Sequence, residues 1–452
     1  MAANTDNSTT PSLHHSITPP RLTPPGFWRA VLLWLKLGFI SFGGPGGVLA
    51  LLRAELVERK RWISERRFLH ALNYCMLLPG PTAQQLAIYI GWLLHGVRGG
   101  IAAGVLLVLP SFFIIVTLAS CYAVYGQLPA LQGVLGGFKP AVLAVIVFAL
   151  VTLGRRTLTN WALITLAVAA FVAIAVLHVP FPIIIIAAGI VGALGGWLKP
   201  NLFQTPPSPS ALKEAQAVLA DHDEPAPHTR PAWWRAALMV IVFPVLWSLP
   251  IQWASTNFGR YNIWTTMAHF FTKAAFVTFG GGYAVLAYVA QAAVDQYQWV
   301  TAAQMMDGLA LGETTPGPLI MVLTFVGFLG GWQQGNFAWP GAGLAALFAT
   351  YYTFLPSFLF VLLGGPFVEA MRGQVRFTAP LTAITAAVGG VILNLAFFFG
   401  SELLFPAHAG INWFAAALSA AALLALWRFK VGIAAVVLAC GLIGMVYQLA
   451  LR

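Results

Sequence analysis

Apolar runs long enough to cross a lipid bilayer recur along almost the whole chain, and this feature restricts the fold more than any motif does. They lie near 27–53, 70–95, 99–125, 129–153, 158–178 and 180–198, then 233–253, then 262–289, 308–332, 341–363, 378–399, 411–427 and 431–450. A helix needs about 20 apolar residues to cross the hydrocarbon core. Backbone polar groups at that depth must bond one another, which helices and closed barrels achieve. Of the 452 residues, 59% are hydrophobic and only 8% charged, whereas soluble domains carry about a quarter charged residues. The chain is expected to be an all-α polytopic membrane protein.

The remaining composition excludes several classes. The formal net charge is +11, but the basic residues cluster in short loops between apolar segments, as on a cytoplasmic face, and do not form a nucleic-acid surface. Cys75, Cys121 and Cys440 all fall within apolar stretches and suggest neither a disulfide framework nor a metal cluster. The histidines are scattered without a His-x-x-x-His pair, so neither a metal nor another cofactor is expected. Gly133-Val-Leu-Gly136-Gly137 lacks the strand context of a dinucleotide fingerprint, and no Walker lysine motif points to ATP. Residues 1–26 read as a disordered tail without the apolar core of a signal peptide. Residues 199–232, polar and rich in proline, read as a solvated linker between two membrane halves.

Those halves repeat one another. Lys36, Phe42-Gly43-Gly44, Trp62 and Pro79-Gly80-Pro81 recur as Lys273, Phe279-Gly280-Gly281, Trp299 and Pro316-Gly317-Pro318. Each pair is separated by 237 residues (36 to 273, 42 to 279, 62 to 299, 79 to 316). After a short insertion, Leu109-Pro110-Ser111-Phe112 recurs as Leu355-Pro356-Ser357-Phe358. Residues 27–198 form the first repeat and 262–452 the second, with 233–253 as one extra, unmatched segment.

An odd extra crossing makes the second copy begin from the opposite face, so the repeats are expected to be inverted. Charge gives the same answer independently. The stretch Arg53 to Arg67 carries six Lys/Arg against three Glu, while its counterpart, Gln291 to Asp307, carries two Asp and no basic residue. The positive-inside bias puts the first stretch and the 199–232 linker in the cytoplasm and the C-terminus outside. An inside N-terminus is compatible with an inside Arg53–Arg67 loop if the helices break and fold back at the Gly-Gly and Pro-Gly-Pro motifs. Nine full crossings with four broken segments are then expected, against thirteen simple crossings.

A broken helix starts anew near the midplane. Its free N–H groups carry about half a positive charge, and glycine lets a ligand approach the backbone. Gly43, Gly44, Pro79, Gly80, Pro81, Thr82, Gly280, Gly281, Pro316, Gly317 and Pro318 are therefore candidate anion contacts, although such motifs also serve simply to pack helices closely. Lys36 and Lys273 lie inside apolar segments, where a lysine either meets a ligand or snorkels to the interface. Thr82, Gln84, Gln85, Thr314 and Thr315 either donate to oxyanion oxygens or bond helix to helix. Glu313, three residues before Pro316, has Met76 as its first-half counterpart. A buried carboxyl there either carries a coupling proton or forms an ion pair.

At these residues the chain resembles the chromate ion transporter family in its long form of two fused domains. Phe42-Gly-Gly-Pro45, Glu58-Arg-Lys-Arg-Trp62 and Leu77-Leu-Pro-Gly-Pro-Thr82 match the first-domain pattern; Phe279-Gly-Gly-Gly-Tyr283 and Glu313-Thr-Thr-Pro-Gly-Pro318 match the second. Met76 departs from it, standing where that pattern has a polar residue. The resemblance implies a multi-pass inner-membrane carrier that exports chromate and confers resistance, with a tetrahedral dianion site. Sulfate, moved in either direction, is an alternative substrate because it shares chromate's shape and charge. A membrane-bound chromate reductase would need a redox group.

Overall fold

A computed structural model of the chain describes residues 24–42, 44–203, 218–219, 227–229, 231–279, 282–334, 338–370, 378–406 and 410–450. The candidate anion contacts Gly43, Gly280 and Gly281 lie outside these residues, as do most of the tail and of the linker.

Among the described residues the chain is helical, apart from one isolated bridge between Ile63 and Leu219. The first half contains α1 (Phe27–Ile40), α2 (Gly44–Arg53), α3 (Glu65–Leu77), α4 (Thr82–Tyr125), α5 (Pro129–Thr157), α6 (Trp161–Ala175) and α7 (Phe181–Leu198). A single turn, α8 (Pro200–Phe203), and the unmatched α9 (Trp233–Phe258) follow. The second half contains α10 (Ile263–Val277), α11 (Gly282–Gln291), α12 (Ala302–Thr314), α13 (Val322–Gln334), α14 (Trp339–Ala370), α15 (Thr378–Leu404), α16 (Trp413–Arg428) and α17 (Ile433–Ala450).

Seven of these, α4, α5, α7, α9, α14, α15 and α17, are long and apolar enough to cross a membrane. Their outer faces carry exposed Ile186 and Ile190 on α7, Ile241 and Val245 on α9, and Leu442 and Val446 on α17. Rows of exposed aliphatic side chains suit hydrocarbon and not water. The protein is a multi-pass membrane protein.

Local chemistry explains where the helices start and stop. Ser64 caps α3 by accepting from the Arg67 N–H, and Thr301 and Gln304 form a reciprocal capping box on α12. The long α4 is two helices joined at His95 and Gly96, whose φ values are −137° and +64°.

Equivalent positions in the two halves carry the same irregularities. Both α2 and α11 continue into a π-helical turn, over Ala54–Arg59 and Ala292–Gln296. Arg61 and Gln298 follow with φ of 53° and 52°. Trp62 and Trp299 are both buried, and Gly80 and Gly317 adopt φ of 121° and 113°.

The halves do not sit side by side as separate bundles. Helix α5 of the first half packs on α16 and α17 of the second, while α15 of the second packs on α6 and α7 of the first. The exchange depends on small residues: a Cβ on Gly137 would overlap the Cys440 carbonyl, and one on Gly390 the Ala167 carbonyl. Close backbone approach of this kind holds helices together where lipid provides no hydrophobic drive for association. Gly137, in the Gly-rich run that resembles a nucleotide fingerprint on composition alone, is therefore a packing residue.

Candidate functional site

Four helix interruptions meet one another. Helix α1 stops at Ile40 before α2 begins at Gly44, and α3 stops at Leu77 before α4 begins at Thr82. In the second half α10 stops at Val277 before α11 begins at Gly282, and α12 stops at Thr314 before a 3-10 turn over Leu319–Met321.

The interruptions are joined crosswise. The Gly80 N–H donates to the Thr278 carbonyl at 2.8 Å, and the Gly317 N–H donates to the Ser41 carbonyl at 2.7 Å. Residues 41 and 278 are equivalent, as are 80 and 317, so each Pro-Gly-Pro turn docks on the other half's broken helix in the same way. Reciprocal contacts of this kind describe a local two-fold relation. The serines of the two Leu-Pro-Ser-Phe repeats extend it: Ser111 donates to the Pro316 carbonyl, and Ser357 lies beside Gly80. The positive φ at Gly80 and Gly317 is a region that a side chain enters only with strain.

Neither α4 nor the 319–321 turn has a side-chain cap, so their first N–H groups are free for another acceptor. Around them lie buried polar atoms without partners: Ser357 Oγ, Gln84 Oε1, Gln85 Oε1 and Glu313 Oε2. Native interiors leave few such atoms unsatisfied, and their grouping marks a place where something polar binds. Gln85 Nε2 donates to the Pro79 carbonyl at 2.7 Å. Thr314 and Thr315 turn their hydroxyls back onto carbonyls of their own helix, at Ala310 and Gly312 among others.

Glu313 is the acidic member of this group. It is 3% exposed, and its Oε1 accepts from the Tyr283 hydroxyl at 2.7 Å. Its Oε2 points at Gly44, where a Cβ would lie 3.4 Å away. Among the described residues no cation lies within ion-pair distance of it. The carboxyl of the second half thus faces the helix start of the first.

The two lysines picked out in the sequence lie elsewhere. Lys36 is 56% exposed, with its ammonium 3.8 Å from buried Glu55, which also binds Arg59 at 2.7 Å. Lys273 is likewise exposed. Neither forms an ion pair with Glu313.

Two further buried clusters tie the halves together and were not singled out in the sequence. Arg67 on α3 pairs with Glu369 on α14 at 3.1 Å, and Tyr89 donates to the same carboxylate at 2.6 Å. Asp307 on α12 accepts from Tyr122 on α4 at 2.9 Å, with the Lys139 ammonium of α5 at 3.9 Å. Lys139 lies in the apolar run 129–153, where the rule that picked out Lys36 would also have found it. Arg67 reads in the sequence as one more loop cation; folding buries it.

A many-spanning helical chain with free helix starts and unsatisfied polar groups where these interruptions meet belongs to the class of integral membrane transporters. The chain is a member of the chromate transporter family, whose sequence model matches residues 28–193 and 265–445. It is 32% identical to a chromate transport protein of Pseudomonas aeruginosa over 438 residues, covering 95% of this chain and 93% of that one. It is 28% identical to a chromate transport protein of Cupriavidus metallidurans over 372 residues, covering 80% of each chain. A probable chromate transport protein of Synechococcus elongatus is 27% identical over 372 residues, covering 82% of this chain and 84% of that one. No solved structure matches the chain.

Proposed function

We propose that the protein is a secondary carrier that exports chromate from the cytoplasm across the inner membrane and so confers chromate resistance. It works by alternating access of two inverted halves around one oxyanion site at the bilayer midplane. The observation that supports this best is the reciprocal pair of backbone bonds, Gly80 to Thr278 and Gly317 to Ser41. A local two-fold axis relates the halves there, and the odd helix α9 and the opposite loop charges favour an axis lying in the membrane plane. The 199–232 linker then lies in the cytoplasm and the C-terminus outside.

In this reading the free N–H groups at the starts of α4 and the 319–321 turn hold the oxyanion, with Ser357 and Thr82 as hydroxyl donors. The side chains of Gln84 and Gln85 present an amide nitrogen to it by turning over, which releases Gln84 Nε2 from the Gly104 carbonyl and Gln85 Nε2 from the Pro79 carbonyl. Glu313 carries a proton when the oxyanion is bound, because an ionised Oε2 beside Gly44 would repel the dianion. A dianion leaving with one proton still moves net negative charge outward. An inside-negative potential then contributes roughly 2.3 kcal/mol per charge per 100 mV. Lys36 and Lys273, about 6 Å of helix before the ends of α1 and α10, attract the oxyanion at the two mouths.

Energised everted membrane vesicles are expected to accumulate labelled chromate only when they contain the protein, and excess sulfate should suppress that accumulation. Uptake confined to right-side-out vesicles would make the protein an importer. A flavin or haem spectrum in the purified protein, with loss of chromate on reduction, would replace the carrier with a reductase.

A further inference from the structure

The molecule also holds an apolar cavity that is not the oxyanion site. It encloses about 670 Å³ between α4, α14 and the unmatched α9, a volume within the range of small-molecule sites. Its lining follows the internal repeat. Seven of the eight α14 residues that line it stand 246 positions from an α4 residue that also lines it, as Ile101 and Leu347, Val105 and Tyr351, or Leu109 and Leu355 do; Leu362 is the exception. The chamber therefore straddles the local two-fold relation between the halves. Only α9, through Met239, Val242, Phe243 and Leu246, breaks the symmetry by covering it.

The wall is apolar and its polar groups are almost all occupied. Tyr351 donates to the Leu246 carbonyl at 2.8 Å, and Thr350 bonds Thr324 and the Ala346 carbonyl. Only Gln84 Oε1, at the end nearest the Pro-Gly-Pro turn, lacks a partner. An oxyanion gains nothing here: no cation or free N–H lines the wall, and desolvating a dianion is very costly. Water fares little better, since a buried water needs two or more polar partners. The chamber lies among spanning helices, and wall residues Val105, Leu109, Phe113 and Leu347 are partly exposed at its rim. It therefore opens to hydrocarbon. From Ile101 to Phe113 the α4 wall runs about 18 Å, more than half the thickness of the hydrocarbon core.

We propose that this chamber is a binding site for one acyl chain of a membrane glycerophospholipid, held by α9 against the paired helices α4 and α14. The full-length protein is reconstituted with a phosphatidylcholine carrying a diazirine in mid-chain. After irradiation, adducts are mapped by peptide mass spectrometry. Adducts are expected on the inner face of α9, at Met239, Val242 and Phe243, at least as often as on its outward residues Val240, Ile241 and Val245. The double variant Val105→Trp/Leu347→Trp should lower the inner adducts several-fold while leaving those on α7 unchanged. Labelling confined to the outward residues and α7 would show a chamber that takes no lipid and would overturn the proposal. So would inner labelling that the folded double variant leaves untouched. If the double variant does not fold, the inner-to-outer ratio on wild-type α9 decides.

Discussion

Gly80 and Gly317 stand in equivalent turns with φ of 121° and 113°, yet the residues that lead into those turns could hardly differ more. Met76 is half exposed, whereas its counterpart Glu313 is buried against Tyr283. Tyr283 itself stands where the first half has Gly46, and Gln84 and Gln85 stand where the second half has Met321 and Val322. Further out, Arg67 corresponds to neutral Gln304 and His70 to Asp307. The two halves share a backbone and divide the chemistry between them. The shared backbone supplies matching helix starts, and the unlike side chains are what can give a two-fold frame a preferred direction and a single coupling group.

Substitutions made in equivalent pairs test this division. The largest effect is expected from Glu369→Ala, which removes the carboxylate from a buried guanidinium. Losing one partner of such a pair costs about 3–5 kcal/mol, so the yield of folded protein and its Tm in detergent should fall sharply. Gln304→Ala, at the position equivalent to Arg67, disturbs a capping box and an exposed 3.3 Å bond from Gln333, and should cost about 1 kcal/mol. Comparable losses from both would mean that the buried ion pair is no special tie between the halves.

Next come the turns. Gly80→Ala and Gly317→Ala each force a side chain into positive φ at about 1–2 kcal/mol. The second also drives a Cβ into Ser111, where the first meets Ser357 at 3.0 Å. Chromate transport per folded molecule should drop about tenfold for Gly80→Ala, and further for Gly317→Ala. Unchanged rates in either variant would remove that turn from the site.

A smaller and more specific effect concerns the acid. Wild-type affinity for the oxyanion should weaken as pH rises and Glu313 ionises, by at most about tenfold per pH unit. Glu313→Gln should flatten that dependence while binding persists, and Met76→Gln should leave it as it was. A pH profile that survives Glu313→Gln would assign the coupling proton elsewhere, with Asp307 the next group to test. The smallest change is expected from Lys36→Ala and Lys273→Ala, each lowering the transport rate a few-fold at low salt and less at high salt. Full activity in both would end their role as guides.

Much of this frame could be read from the sequence because it repeats. The 237-residue spacing that pairs Pro79-Gly80-Pro81 with Pro316-Gly317-Pro318 also pairs the π-helical turns and the left-handed residues Arg61 and Gln298. A local motif fixes local geometry, so equal motifs give equal backbones. Contacts between distant segments carry no such signal. Nothing near Arg67 announces that its partner is Glu369, 302 residues away. Nor does any apolar run announce that α5 packs on α16 and α17. Lys36 lies away from these turns, its ammonium 3.8 Å from Glu55, one residue beyond the start of the first π-helical turn. Glu313 could be found because an acid in an apolar run is costly wherever it points.

The most direct measurement is the stoichiometry of chromate binding to the purified protein by calorimetry, for the wild type, Gly80→Ala and Gly317→Ala. One chromate per chain is expected, competed by sulfate and weakened by either substitution, because both turns build one site. Two sites per chain, each lost to only one of the substitutions, would contradict a shared site and leave two separate pockets in its place.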